Sequence, residues 1–425
     1  RERRASWGLY RDRRPDLYRS LCSVDGEIQT NSSLDRPSRI QSSTHDQTNS
    51  SQHSLYGKPS QSLLPRLTVP SLDGFHMPAE WKKHRRCFLA WPYDPNLWSD
   101  VKAAQEAFAE VIEAITCVGN ENVTLLALSS FLPELRRKFS SNRKISLVEM
   151  SYDDVWLRDI GPTFVVNNLS NEVRGIDWNF KGYDDSYSHE KDNFVASSIL
   201  SLSRSPRYKC PLFVEGGSFH TDGCGTLIAT KQCFLHKSRN PQCTLEDIEN
   251  FLRLYLGITK VIWLELGLSS DLDTNGHVDN LCCFTSECEI ALHWVEDKSD
   301  SDFRVSASAF EILSTTTDAL GRPFRIHKIC APSHQFYESE DVEHLKSSKY
   351  ERESGQRLPA SYINFYISND AIILPKFGVA QDKFALEQIQ AIFPRRKVVQ
   401  IFSRNILLSG GNIHCITQQE PFGLN

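Results

Sequence analysis

Cys87-Phe88-Leu89-Ala90-Trp91, a helical pattern over residues 101–118, then Val123-Thr124-Leu125-Leu126-Ala127-Leu128 form the strand–helix–strand stretch that decides the fold class. Ala104, Phe108, Val111, Ile112 and Ile115 recur at spacings of three and four and so share one helix face. A third strand follows at residues 145–150. The same grammar returns downstream. Thr244 caps a helix ending at Gly257, and a strand covers residues 260–266. Two more helices read over 303–320 and 382–393, the second stopped by Pro394. Residues 362–377 read as a hairpin turning at Asn369-Asp370. Periodicity alone gives an α/β or α+β protein, with no sequence repeat that counts the modules.

The composition excludes several classes of function. With 425 residues, 40% hydrophobic and 24% charged, the chain can bury one large core or two ordinary ones. A net charge of -5 provides no basic field for nucleic acid. The apolar runs fall far short of the roughly 20 residues of a bilayer span. Twelve cysteines are too sparse for a disulfide scaffold, which favours a reducing compartment such as the cytoplasm. No Cys-x-x-Cys pair occurs, and no zinc, nucleotide or organic cofactor is implied.

Residues 1–72 are rich in Ser, Arg, Gln and Asn, which predicts a disordered extension before a single domain over 73–425. Its basic start has the flavour of an organellar transit peptide, but Glu2, Asp12 and Asp16 interrupt it.

Ionisable residues beside glycines mark the chemistry: Trp156-Leu157-Arg158-Asp159, Glu215-Gly216-Gly217, Gly276-His277-Val278-Asp279-Asn280 and Gly410-Gly411-Asn412-Ile413-His414-Cys415. One thiol, one imidazole and three carboxylates without a basic oxyanion site suit a cationic substrate. The two-residue spacing of His277 and Asp279 puts both on one face of a strand. On an extended strand Asp159 points away from its neighbour Arg158, and His414 diverges from Cys415. Gly216, Gly217, Gly410 and Gly411 read as close-approach positions that leave room for a substrate. Trp156 serves equally as a flat wall for a substrate chain or as core packing.

These motifs, together with Met77-Pro78-Ala79-Glu80-Trp81, Arg158-Asp159-Ile160-Gly161-Pro162-Thr163-Phe164, Arg239-Asn240-Pro241 and the 360–366 and 412–419 segments, resemble the agmatine deiminase family of the guanidine-modifying superfamily. Bacterial-type peptidylarginine deiminases are its relatives. The resemblance covers about residues 77–421. It implies a five-bladed pseudo-symmetric α/β propeller and the conversion of agmatine to N-carbamoylputrescine and ammonia in putrescine synthesis. It implies Cys415 as nucleophile, His277 as general acid and then base, Asp159 and Asp279 as guanidinium anchors, and Glu215 as a further binding and proton-relaying carboxylate. A homo-oligomer is expected on the same ground. The chain departs from the family at Lys181-Gly182-Tyr183-Asp184-Asp185, Glu265, Ser269 and Val379, which are expected to shape the mouth, with Lys181 a candidate cation there. The alternatives are a deiminase for free or peptidyl arginine, or a silent homologue that binds polyamines or guanidines.

Overall fold

The structure is a computed structural model that describes residues 69–185, 187–343 and 352–423. Five sheets are present among them, built by one local rule. The first holds β1 (His84–Ala90), β2 (Asn122–Ala127) and β3 (Ile145–Glu149). The next three hold β4–β6 (Thr163–Asn167, Glu172–Asn179, Arg207–Phe213), β7–β9 (Phe219–Thr221, Thr226–Thr230, Lys260–Leu264) and β10–β12 (Cys282–Ser286, Glu289–Trp294, Arg325–Cys330). The fifth holds β13–β15 (Tyr366–Ile367, Ala371–Lys376, Lys397–Phe402). In each of the last four, the first two strands form an antiparallel pair and the third runs parallel to the second.

A parallel neighbour requires a crossover, and a helix supplies it each time. The crossovers include α1 (Val101–Glu113), α2 (Val195–Ser203), α3 (Leu245–Leu256), α4 (Ser301–Thr315) and α5 (Gln381–Ile392). In the first sheet the missing antiparallel strand comes from the far end of the chain: β16 (Gln418–Pro421) pairs with β1, Cys87 facing Gln419. The strand after Cys415 is thereby tied to the first module.

Local chemistry explains the elements. Ala104, Phe108, Val111, Ile112 and Ile115 are all fully buried, so the predicted face of α1 is the one that packs. A π-turn over Ala114–Val118 carries the last of them. Thr244 and Asp247 form a reciprocal capping box on α3, an arrangement worth about 1 kcal/mol.

Several boundaries differ from expectation. The helix predicted over 303–320 starts two residues earlier, where Asp300 accepts from the Asp302 N–H, and ends at Thr315. There the β-branched run Thr315-Thr316-Thr317 gives way to a turn in which the Asp318 carboxylate accepts from the Leu320 and Arg322 N–H groups. The strand expected over 260–266 closes at Leu264, because Glu265 turns out to meet Lys231. The predicted disordered extension ends sooner than residue 72. Residues 1–68 lie outside the described residues, whereas Val69 is buried and Pro70–Asp73 forms a 3₁₀ turn against α3, with Val69 and Leu72 in its apolar cluster.

Candidate active site

Of the five ionisable residues singled out from the sequence, Asp159 and Cys415 line one cavity, and His277, Glu215 and Asp279 gather beside it near Gly217. Among the residues lining the cavity are Trp156, Asp159, Tyr183, Tyr187, Asp273, Gly410, Gly411 and Cys415. Asp159 sits on a single helical turn, Leu157–Ile160, rather than on a strand. The turn sends its two ionic neighbours apart. Arg158 reaches Glu80 at 3.0 Å and Gln419 at 2.8 Å, while Asp159 faces the cavity and accepts from the Gly217 N–H and the Tyr183 hydroxyl, each at 2.9 Å.

His277 and Asp279 do not share a strand face. Val278–Asn280 is a 3₁₀ turn, and both side chains still converge because the turn wraps the chain around the Gly217 backbone. A Cβ placed on Gly217 would lie 2.7 Å from His277 Nδ1, 2.9 Å from Asp279 Oδ2 and 3.1 Å from Asp159 Oδ1. The absence of that one carbon opens the cradle between imidazole and carboxylates. Gly411 plays the same part against Trp156, 2.5 Å from its would-be Cβ, and Cys415. The other two glycines do other work. A Cβ on Gly216 would strike the Arg158 carbonyl oxygen, and Gly410 holds φ at 111° beside Asp273.

Trp156 both packs in the core and borders the cavity. It stacks on Trp98 with centroids 5.8 Å apart and donates to Asp154 at 2.8 Å.

Burial of charge dictates the protonation states. Burial pushes the Cys415 thiol well above its ordinary pKa, and Asp279 and Asp159 add to the rise. The sulfur is 3.6 Å from Asp279 Oδ2 and accepts from Asn364 Nδ2 at 3.2 Å. Burial pushes Asp159 up to about 6, with His277 pulling down and Asp279 and Glu215 pushing up. Glu215 resists burial because the Arg239 guanidinium donates to it at 2.8 Å and His277 adds charge, which holds it at about 2. The His277 imidazole overcomes burial through Asp159, 3.8 Å away, and stays protonated well above the ordinary range. Its Nε2 is 3.7 Å from Glu215, and its backbone N–H is fixed by Asp271 at 3.0 Å. Asp279 Oδ1 has no hydrogen-bond partner among the described residues.

Several participants escaped the sequence reading. Tyr183 lies in the divergent 181–185 segment and holds φ at 62°, a conformation costing about 1 to 3 kcal/mol for a bulky residue. Arg239 and Asn364 stood in quoted motifs without a role; only their neutralising and thiol-bonding positions reveal one. The other divergent positions do not line the cavity. Lys181 Nζ lies 4.8 Å from the Phe213 ring, Glu265 meets Lys231, Ser269 bonds Ser301, and Val379 packs near α5. The cation beside the mouth is Arg352, which donates to Asp273 at 2.7 Å and Tyr187 at 3.1 Å.

Among the described residues, two buried sets approach closely enough to hold a metal ion, Glu80 with His220 and His414, and Glu215 with Cys233 and His277. In each, a guanidinium already bonds the shared carboxylate, Arg158 on Glu80 and Arg239 on Glu215, and repels a divalent cation. We assign neither to a metal.

A buried thiol set among carboxylates and beside an imidazolium defines a cysteine-dependent site suited to a planar cation. The family model for Porphyromonas-type peptidyl-arginine deiminases matches residues 76–421. A Listeria monocytogenes protein bearing the agmatine deiminase name is 45% identical over 359 residues, covering 82% of this chain and 97% of that one. A Mycoplasma mycoides protein of the same name is 41% identical, covering 83% and 98%. The solved agmatine deiminase of Enterococcus faecalis superposes with a TM-score of 0.78 at 36% identity, covering 84% and 98%. The chain belongs to this family, and within it to the agmatine deiminases.

Proposed function

We propose that this chain hydrolyses agmatine to N-carbamoylputrescine and ammonia, with Cys415 as nucleophile and His277 as proton carrier. The carrying observation is the Asp279 carboxylate, whose Oδ2 lies 3.6 Å from the Cys415 sulfur and faces the Gly217 cradle together with Asp159 Oδ1, while its Oδ1 has no hydrogen-bond partner among the described residues. A guanidinium offers coplanar N–H pairs, and carboxylates accept them in pairs. Asp159 and Asp279 grip opposite edges, and Glu215 bonds a third N–H. The arriving cation lowers the cost of a thiolate that burial otherwise forbids, so the thiol releases its proton to solvent as the substrate binds, and the thiolate is reprotonated after the product leaves. Sulfur attacks the central carbon, His277 donates its proton to the departing nitrogen, and ammonia leaves a thiouronium on Cys415. The neutral imidazole then takes a proton from water, whose oxygen displaces the sulfur and yields the ureido product.

The five repeated sheets support a closed ring of five blades, with β16 closing the ring onto β1 and the cavity on its axis. Residues 73–425 act as one catalytic domain, working in the cytoplasm.

Asp273 supplies a carboxylate for the ammonium at the other end of agmatine. A second reading, free arginine, draws on Arg352, which carries a charge suited to an α-carboxylate but is already bonded to Asp273. Burying an unpaired carboxylate costs several kcal/mol, so agmatine should be preferred at least about a hundredfold in kcat/KM. A ureido-product assay with agmatine, arginine and a blocked arginine peptide decides. Equal turnover of arginine removes the agmatine assignment, and no turnover of any of the three makes the chain a silent homologue.

A further inference from the structure

His414 is next to the nucleophile in sequence yet turns its ring the other way, into a buried bridge between two carboxylates. Its Nδ1 is 2.9 Å from Asp279 Oδ2, and its Nε2 is 3.0 and 3.1 Å from the two oxygens of Glu80. An ionised carboxylate only accepts, so each contact requires a proton on the ring nitrogen that faces it. Two facing acceptors select the imidazolium.

The surroundings agree. Glu80 is bonded to Arg158 at 3.0 Å and faces His220 Nε2 at 3.5 Å. His220 Nδ1 accepts from the Phe284 N–H at 3.2 Å, which leaves Nε2 as the protonated nitrogen of a neutral ring. Cys283 completes the titratable groups of this small internal space. Burial and Arg158 oppose a charge on His414, while Glu80 and Asp279 favour it and prevail. Asp279 is correspondingly held below the ordinary carboxylate range, despite burial, by the bond from His414.

We propose that His414 is a positioning residue: a permanent buried imidazolium that keeps Asp279 ionised and anchors Oδ2, the oxygen that faces the Gly217 cradle and the Cys415 sulfur, so that the carboxylate is held in place for the substrate guanidinium. The backbone bond from His414 N–H to Asn364 Oδ1, 3.0 Å, joins the same strut to the group that bonds the Cys415 sulfur. Sequence adjacency thus serves two jobs: residue 415 reacts, and residue 414 sets the charge of its neighbour.

The kinetic arm rests on the agmatine reading; the spectroscopic arm does not. In full-length protein labelled with ¹⁵N-histidine, the His414 ring signals are assigned by their loss in His414→Gln. Both nitrogens should keep the imidazolium shift at pH 8, and a neutral tautomer there overturns the proposal. In kinetics with agmatine, His414→Gln should raise KM about tenfold or more at pH 7, because Asp279 becomes easier to protonate. It should also move the acid limb of kcat/KM to higher pH, with kcat changing less. An acid limb left in place overturns it. If His414→Gln fails to fold, the ring signals are assigned in uniformly labelled wild-type protein by through-bond correlation to the His414 and Cys415 backbone amides, which keeps the NMR result decisive; wild-type protein inert toward agmatine defeats the functional reading without touching the ring assignment.

Discussion

Replacing Asp159 by asparagine separates charge from shape at the centre of the cradle. The carboxylate holds its place through the Gly217 N–H and the Tyr183 hydroxyl, and burial raises it to about 6. Losing a charge-assisted contact to a cation costs about 2 to 4 kcal/mol, which is about 30- to 900-fold in Kd. The same pKa sets a second expectation. Only the ionised form attracts a guanidinium, so in the parent site agmatine affinity should fall as pH drops through about 6. The fall should approach roughly tenfold per pH unit below that point. Asp159→Asn should bind weakly and lose this dependence. Calorimetry from pH 5 to 8 in a Cys415→Ser background, which cannot turn over, measures both. An affinity that is unchanged by the substitution, or flat with pH in the parent, refutes the assignment of Asp159 as an anchor.

Gly217→Ala should cut kcat/KM by about a hundredfold or more, because its Cβ would lie within 3 Å of both His277 Nδ1 and Asp279 Oδ2; near-normal kinetics would show that the cradle is not where substrate sits. Lys181→Ala should leave the agmatine-to-arginine ratio within about twofold, since its charge lies over Phe213 and off the cavity; a reversed preference would restore Lys181 as a carboxylate clamp. A chain starting at residue 69 should retain full activity, whereas one starting at residue 74 should melt a few degrees lower, because burying a side chain such as Val69 is worth about 1.5 to 3 kcal/mol. Equal melting of the two would mean that the Val69 contact is idle.

What the sequence disclosed follows from what local patterns encode. The apolar face of α1, the Thr244 cap and the hairpin at Asn369-Asp370 depend on neighbours within a turn, and each formed where it was read. The gathering of Cys415, His277, Asp159, Glu215 and Asp279 was legible because glycines beside ionisable residues mark crowded backbone. Their local geometry was not. His277-Val278-Asp279 and Leu157–Ile160 are too short for periodicity to distinguish a tight turn from a strand, although the side chains converge either way. Arg239, Asn364, Tyr183 and Arg352 act through partners 24 to 79 positions away in sequence, a relation that no window contains. Of the divergent positions expected to shape the mouth, the 181–185 segment reaches it through Tyr183, whereas Lys181, Glu265, Ser269 and Val379 lie off the cavity, since departure from a family pattern marks a change without locating it.

Covalent capture of the intermediate tests the central claim most directly. Acid quenching during agmatine turnover, followed by intact-protein and peptide mass spectrometry, should reveal an adduct equal to agmatine less ammonia on the peptide carrying Cys415. Its appearance on Cys415 and its absence in Cys415→Ser are the predicted result. Turnover that continues with no such adduct, or an adduct on another cysteine such as Cys233, would contradict the account.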